Sequence, residues 1–404
     1  MGLKKLMIWG TMFTQTTPEL MDDLKMRWRR LQALIQTAGA EALVVSSNTN
    51  LYYLCGRVFM GHAIIPASGD PLFCVRRPCG LKGERVRELR KMEQLPELLA
   101  EVGLPLPAHV MIENDELSYN DGLRLSAVFP GAVTGNGSAV LRQCRMVKTP
   151  YEIRIMKMTG QRHVDVISRF ATVYEAGMTD HAWALEMYHV MLKAGNLGQF
   201  RIAGSSMEAF MGTILAGDNG AAVSPYDFAL GGAGLHPSLP VGQCGIKLTE
   251  GMAVLVDIAA NFYGYLTDCS RVYSIGKLAQ PAYDAHQVSI AIRNAIIAVA
   301  KPGVPAEDLY TLALEMATKA GLADCFMGAQ QKAKFVGHGT GIVINELPIL
   351  GARSKDILAE GMTIALEPKF VIPGTGAVGI EDTLLVTARG LENLTPAPTE
   401  IIAL

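Results

Sequence analysis

The sequence predicts a two-domain protein of mixed α and β class. Three observations support this prediction. The length of 404 residues usually corresponds to two or three domains, half of the residues are hydrophobic, and the pattern of helices and strands changes once along the chain. The change falls near residue 147. We therefore predict an N-terminal domain over residues 1–147 and a C-terminal domain over residues 148–404.

Helices and strands alternate through the first domain. Residues 18–39, PELMDDLKMRWRRLQALIQTAG, have the apolar spacing of an amphipathic helix that ends at Gly39. Three apolar stretches follow, ALVVSS, LYYLCG and AIIPASGDPLFCV, and we interpret them as strands with a Gly-Asp turn in the last. This alternation predicts an α/β domain.

A pair of helices precedes a strand-rich stretch twice in the second domain. The apolar periodicity predicts helices at about 151–176 and 179–194 before strands within 200–275. It predicts two more at about 282–300 and 305–320 before strands within 334–390. The two halves share this order of elements but no residue-level repeat, so the pattern suggests pseudo-symmetry.

Composition excludes several classes of function. Charged residues make up 18% of the chain and the formal net charge is -2, so the basic excess of a nucleic-acid-binding protein is absent. No apolar run has the length of a membrane span, and the N-terminal LMIWGTMF lacks the cleavage site of a signal peptide. The seven cysteines are scattered, which suits free thiols in a reducing compartment. We expect a cytoplasmic protein with no nucleic-acid and no membrane partner.

Four acidic residues lie within apolar, strand-like sequence. Asp257 and Asp268 flank a predicted turn, and we expect them to face each other across a hairpin. Glu367 and Glu381 each lie seven residues from Gly374, at the centre of a second predicted hairpin. Like charges placed directly opposite in a sheet are destabilising. The two hairpins therefore predict a bound positive charge.

His338 adds an imidazole to these carboxylates. It lies between Gly337 and Gly339, which let the backbone approach closely and leave the ring free to reach inward. A lone histidine in an apolar strand is more often a core residue, but four inward carboxylates reverse that preference. Two divalent cations would neutralise the cluster. Oxygen ligands with one imidazole suit manganese, iron, cobalt or zinc.

The order and context of these residues resemble the pita-bread metallopeptidases, in the branch that holds Xaa-Pro aminopeptidase, prolidase and creatinase. The context is GHGxG around the histidine, LEP around the first glutamate and IED around the second. The five residues that match the family's metal ligands are Asp257, Asp268, His338, Glu367 and Glu381. The resemblance covers residues 20–145 and 150–390. It implies a creatinase-like N-terminal α/β domain, then a catalytic domain with a curved antiparallel sheet and pseudo-twofold symmetry, in a homodimer.

The resemblance also implies an activity. Two divalent ions, manganese first and cobalt, zinc or iron as alternatives, would hold a bridging hydroxide that cleaves the N-terminal peptide bond before proline. Glu367, a ligand, resembles the residue that accepts the proton of that water. His236 matches the cleft histidine that hydrogen-bonds the substrate. The implied enzyme is an Xaa-Pro aminopeptidase or Xaa-Pro dipeptidase acting on a small peptide.

Two positions depart from the proline-specific pattern. Asn345, in INELP, stands where a second histidine is usual, and Gly379 stands where an arginine is common. An amide keeps a hydrogen-bond donor for the substrate but cannot shuttle protons, and the missing arginine removes a carboxylate clamp. A second hypothesis is therefore a non-peptide hydrolase or lyase of a small amide or zwitterion, creatinase-like or osmolyte-degrading. A non-catalytic binding protein on the same scaffold is a third.

Overall fold

The chain forms two compact units, Met1–Arg145 and Met146–Leu404. The computed structural model describes residues 17–77, 79–203 and 210–404. The N-terminal LMIWGTMF, whose sequence lacks the cleavage site of a signal peptide, lies outside these ranges. The predicted position of the domain boundary stays a prediction. None of the described helices combines the length and the apolar character that a membrane crossing requires.

A six-stranded mixed sheet forms the centre of the first unit. In chain order, its elements are α1 (Pro18–Thr37), β1 (Ala42–Val45), α2 (Asn48–Cys55), β2 (Gly61–Pro66), β3 (Leu72–Val75), β4 (Val86–Glu88), α3 (Leu95–Glu101), β5 (His109–Ile112), α4 (Tyr119–Ala127), β6 (Val133–Asn136) and α5 (Ser138–Met146). The strand order is β4-β3-β2-β1-β5-β6. Strands β3–β4, β1–β5 and β5–β6 pair in parallel, and the others are antiparallel. The predicted α/β class is confirmed.

The segment LYYLCG, predicted as a strand, is part of helix α2. The Ser47 side chain caps this helix by accepting a hydrogen bond from the backbone N–H of Asn50, and Gly56 ends it at a φ of +68°. Buried Glu113, next to β5, accepts hydrogen bonds from the Ser47 backbone N–H at 2.8 Å and from the Asn50 amide at 2.6 Å. The two caps and this carboxylate outweigh the strand propensity of the leucines and tyrosines.

The second unit contains helices and three small sheets. In chain order, its elements are α6 (Pro150–Ile167), α7 (Asp180–Lys193), β7 (Gly212–Ala216), β8 (Ala253–Asn261), β9 (Leu266–Ser274), α8 (Gln280–Val299), α9 (Ala306–Lys319), β10 (Phe335–Gly339), β11 (Glu346–Gly351), β12 (Thr363–Leu366), β13 (Lys369–Ile372), β14 (Gly376–Gly379), β15 (Asp382–Thr387), β16 (Gly390–Asn393) and β17 (Ile402–Ala403). The sheets are β17-β9-β8-β7, β13-β14 and β11-β10-β12-β15-β16. Their pairings are antiparallel except β9–β17, as the predicted antiparallel architecture requires.

The four helices predicted in this unit all form. The first ends earlier than predicted, at Ile167, and a 3-10 turn at Phe170–Val173 follows it. Within the strand-rich stretch at 200–275, residues 217–252 form a short 3-10 turn and loops. The glycines and prolines of LGGAGLHPSLPVG interrupt a strand ladder, which makes this segment a turn-rich loop.

The β8–β9 hairpin has a register two residues away from the predicted one. Asp257 pairs with Ser270 and Asp268 pairs with Ala259, so the two aspartates are diagonal neighbours and not directly opposed. The Asn261 side chain accepts a hydrogen bond from the backbone N–H of Gly264 at 3.0 Å. This contact places the turn later in the sequence than expected. A shift of two residues preserves the face of every side chain. Both aspartates therefore still lie on one face.

The second hairpin has the predicted register. Strands β13 and β14 pair Lys369 with Gly379 and Ile372 with Gly376. Glu367 and Glu381 lie two residues beyond the first of these pairs, one on each side of the hairpin. The two hairpins thus bring acidic residues from distant parts of the sequence to one place.

One buried histidine makes a prediction about acid stability. His163 on α6 is fully buried, and its Nδ1 lies 3.0 Å from the Thr267 hydroxyl. Burial lowers the pKa of His163 from its ordinary 6.5 to about 3. Between these values the unfolded chain binds a proton that the folded chain does not, so stability falls as the pH falls.

We expect His163→Gln to lose stability less steeply than the wild type between pH 6.5 and 4.5, by up to about 1.4 kcal/mol per pH unit. Urea unfolding at several pH values, with a chelator present, measures the slope. His189→Gln is the control because His189 is exposed and its substitution should leave the slope unchanged. Equal slopes for His163→Gln and the wild type would contradict the prediction.

Candidate metal centre

Five predicted ligands meet on the strands of the second unit. Asp257 is on β8, Asp268 on β9 and His338 on β10, while the two glutamates lie beside the ends of β12 and β14. Their donor atoms form two groups, within each of which all atoms lie within 4.8 Å of one another. The groups are Asp268, His338 and Glu381, and Asp257, Glu367 and Glu381. Glu381 belongs to both, so the predicted ligands form one continuous centre.

Hydrogen bonds orient several of these side chains. The Ser270 hydroxyl donates to Glu381 Oε2 at 2.6 Å, and His338 Nδ1 lies 3.0 Å from the carbonyl oxygen of Gly339. Because a carbonyl only accepts, Nδ1 is the ring nitrogen that keeps its proton when the other binds a metal ion. His338 Nε2 therefore presents a lone pair to the centre, 3.5 Å from Glu367 Oε1.

Lys369 on β13 is part of the centre, and sequence analysis missed it. Its side chain is fully buried, and its Nζ donates to three carboxylates. The N–O distances are 2.8 Å to Asp257 Oδ2, 2.7 Å to Glu367 Oε2 and 3.0 Å to Glu381 Oε2. One signal was available: a lysine inside the apolar strand, two residues after Glu367 and so on the same face.

The pKa values of the buried groups show that one lysine does not fully compensate the four carboxylates of the centre. Burial raises the pKa of Asp268 well above its usual value, and repulsion from Glu381 and Asp257 adds to the effect. Burial also raises the pKa of Glu381 well above its usual value, although Lys369 opposes the rise. Burial alone would lower the pKa of Lys369, but the three carboxylates around it outweigh burial and raise that pKa. Asp268 and Glu381 are therefore the two carboxyl groups whose ionised form most needs a further positive charge nearby.

The two donor groups therefore differ in their fit to a metal ion. The group of Asp268, His338 and Glu381 offers two carboxylates and an imidazole, and only Glu381 among them contacts Lys369, so this group suits one divalent ion. The other group already surrounds the Lys369 ammonium. The first group fits the metal that the sequence implied, and the second does not fit an ion while the lysine stays in place.

A buried arginine fixes the backbone next to Glu381. Arg271 donates to the carbonyl oxygen of Glu381 at 2.7 Å and to Asp382 Oδ1 at 2.7 Å. Arg293 pairs with the other carboxylate oxygen of Asp382. Arg271 also donates to the carbonyl oxygens of Pro398 and Ala397, near the C-terminal strand. These contacts hold the shared ligand in one position.

The centre lies in a cavity of about 240 Å³. Most of its wall is apolar or aromatic: Phe200, Phe228, Leu230, Phe335, Ile344 and Ile349. Asp227 and Asn345 add polar groups, and all five predicted ligands reach the surface of the cavity. Such a space suits a small substrate that has an apolar side chain.

The structure also shows where Asn345, His236 and Gly379 lie relative to the cavity. Asn345 lines the cavity, but its amide is engaged with the backbone of Ala203: Oδ1 accepts from the N–H at 2.8 Å and Nδ2 donates to the carbonyl at 3.1 Å. His236 is exposed on a loop, with Nδ1 bound to Ser238, and is not among the described residues that line the cavity. Gly379 lies on β14 opposite Lys369. The roles predicted for His236 and Asn345 stay predictions, and these positions do not support them.

Comparison with known proteins gives consistent matches. The sequence profile of metallopeptidase family M24 matches residues 154–388, and that of the creatinase/prolidase N-terminal domain matches residues 27–147. Uncharacterized peptidase YqhT of Bacillus subtilis is 26% identical over 390 residues, covering 94% of this chain and 100% of that protein. An Xaa-Pro dipeptidase of Pyrococcus furiosus is 23% identical over 392 residues, with coverages of 94% and 100%.

A solved structure shows the same fold. The X-Pro aminopeptidase of Thermotoga maritima matches with a TM-score of 0.75 at 21% sequence identity, covering 93% of this chain and 99% of that chain. Together, these matches confirm the resemblance found in the sequence and the fold it implied, a creatinase-type N-terminal domain followed by a pita-bread domain.

The Arg271 contacts predict a large loss of stability in Arg271→Met. Asp382 would stay buried with Arg293 as its remaining partner, and removing one member of a buried ion pair typically costs about 3–5 kcal/mol. We expect a loss near the lower end, measured as the free energy of unfolding in urea. Lys157→Met, which breaks an exposed pair with Glu392, should cost less than about 1 kcal/mol. Similar losses in the two variants would contradict this prediction.

The two buried carboxyl groups of Asp268 and Glu381 predict that a divalent ion stabilises the folded chain. At an Mn²⁺ concentration one hundred times the dissociation constant, binding to the folded chain alone adds about 2.7 kcal/mol, which raises the midpoint of thermal unfolding by roughly 3–5 °C for a chain of this size. A chelator should reverse the rise, and His338→Gln should reduce it. An unfolding midpoint unaffected by manganese, iron, cobalt and zinc would show that the centre binds none of them.

Proposed function

The chain belongs to metallopeptidase family M24, and we propose that it is a metal-dependent aminopeptidase that removes the residue before proline from short peptides. One observation carries the proposal: an open group of two carboxylates and an imidazole lies in a small cavity with apolar walls. The donor group supplies a place for a metal ion, and the cavity supplies a place for a small peptide. We propose manganese as the ion because the donors are mostly oxygens.

The metal ion and the side chains have separate tasks. Held by Asp268, His338 and Glu381, the ion would supply Lewis acidity, which polarises a carbonyl group and lowers the pKa of water. Glu367 is the proposed proton acceptor. Its Oε2 is bound to Lys369 at 2.7 Å, which leaves Oε1 to take a proton from the attacking water.

The charges around the cavity favour an aminopeptidase over a dipeptidase. The described residues of its lining include acidic groups but no lysine or arginine. The sequence of residues 204–209, GSSMEA, which lie outside the described ranges, has none either. An acidic wall attracts the ammonium group of a peptide N-terminus, whereas the free carboxylate of a dipeptide would find no cationic partner there. A longer peptide keeps its carboxylate away from the centre.

A second candidate is a hydrolase of a small, non-peptide amide. Asn345 favours it, because the oxygen and the nitrogen of this amide each already bind the Ala203 backbone, which leaves less of the amide to hold a peptide. Gly379, where the proline-specific pattern has an arginine, agrees with it. The homodimer and the cytoplasmic location expected from the sequence stay predictions.

Hydrolysis of matched peptides tests the proposed activity. We expect the Mn²⁺-loaded protein to cleave Ala-Pro-Ala, with a higher kcat/KM than for Ala-Pro and for Ala-Ala-Ala. Release of free alanine is the measurement. Asp268→Asn is the inactive control because it removes a proposed ligand of the metal ion.

The outcomes separate the candidates. A preference for Ala-Pro over Ala-Pro-Ala would replace the aminopeptidase with a dipeptidase. No cleavage of any peptide, together with turnover in a panel of small amides and zwitterions that includes creatine, would support the second candidate.

A further inference from the structure

We propose that this centre binds a single divalent ion, because the ammonium of Lys369 takes the place of a second. The sequence predicted two ions, because two divalent cations would balance the charge of four carboxylates. The inference concerns the composition of the centre and goes beyond the proposed peptidase activity. It holds whichever substrate the chain acts on.

The position of the Lys369 Nζ is that of a cation bound to three carboxylates. It lies 2.7–3.0 Å from oxygens of Asp257, Glu367 and Glu381, which are the members of one of the two donor groups. A divalent ion needs these same oxygens at about 2.0–2.2 Å. Two cations sharing three oxygen ligands would lie within a few ångströms of each other. The second ion therefore competes directly with the lysine.

The lysine is held in this position by the strand that carries it. Its side chain is fully buried, so leaving the centre would take the ammonium away from its carboxylates into a packed interior. Its backbone pairs with Gly379 in the β13–β14 ladder. The lysine is thus a fixed part of the centre.

Gly379 makes room for this arrangement. Its φ is +149°, and a Cβ at this position would lie 2.8 Å from the Cα and 3.1 Å from the Cγ of Lys369. It would also lie 2.5 Å from the carbonyl oxygen of Pro368. A longer side chain at residue 379, such as the arginine of the proline-specific pattern, would therefore displace the lysine. The lysine in this position therefore requires a residue without a side chain at 379.

The charge balance agrees with one ion. The lysine neutralises one of four carboxylate charges, and one divalent ion beside Asp268, His338 and Glu381 neutralises two more. A second divalent ion without a bridging hydroxide would leave the buried centre with a net positive charge, which desolvation makes costly. The remaining single negative charge can be met by a proton or by the ammonium group of a substrate.

Counting bound ions in the full chain tests the proposal without any assay of activity. The purified protein is stripped with a chelator, equilibrated with excess Mn²⁺ by dialysis, and analysed by atomic emission together with electron paramagnetic resonance. We expect one ion per chain and the six-line spectrum of an isolated Mn²⁺ ion. Two ions per chain with an exchange-coupled spectrum, or no bound ion, would overturn the proposal.

Two variants test the role of the lysine itself. Lys369→Met removes the ammonium but keeps an unbranched side chain that is one atom shorter, and it should bind two ions per chain. Lys148→Met is the matched control, since Lys148 is also buried and pairs with Glu346 at 3.0 Å outside the centre, and it should still bind one. A single ion in Lys369→Met would show that the lysine does not exclude the second ion.

A third variant serves if Lys369→Met does not fold. Asp257 contacts Lys369 at 2.8 Å and belongs only to the donor group that the lysine occupies. Asp257→Asn should therefore keep the count of one, while Asp268→Asn should lose the ion. A loss of the ion in Asp257→Asn would place the single ion in the other group and overturn the assignment.

Discussion

The organisation of the second unit depends on how four acidic side chains are neutralised away from water. Two of them come from the β8–β9 hairpin and two flank the β13–β14 hairpin, so neither hairpin contains the whole cluster. Their mutual repulsion opposes the folding that brings them together, and burial strengthens it. Positive charge beside these carboxylates is consequently a structural requirement of this unit. Lys369 is the cation that the chain itself provides, and it neutralises only part of the charge.

A few buried hydrogen bonds fix the residues around the cluster. Arg271 joins the backbone of Glu381 to the Asp382 side chain and to the segment before the last strand, so the shared ligand and the C-terminal end of the chain are fixed by one guanidinium group. Ser270 fixes the carboxylate of Glu381, and the Gly339 carbonyl fixes the tautomer of His338. Precise ligand positions thus follow from buried hydrogen bonds to neighbouring strands.

Much of this could be predicted from the sequence, for reasons that particular residues make clear. Alternation along a strand fixes the face on which a side chain lies, so the grouping of Asp257 with Asp268 survived a wrong register. The helices of the second unit followed from apolar spacing. Local patterns failed where distant contacts decide: Glu113 helps to turn LYYLCG into a helix from over sixty residues away. Lys369 was overlooked because a lysine is normally expected at the surface, and only the folded chain reveals its three partners.

A cation carried on a side chain differs from a dissolved one in that it cannot be lost. The ammonium on β13 is present as soon as the polypeptide is made, and it joins three carboxylates that come from separate parts of the sequence. Half of the site is therefore assembled whether or not the surroundings contain trace metals. Removal of any ion from the other donor group would leave these three carboxylates paired with the lysine, so we expect it to change that group more than the fold around it.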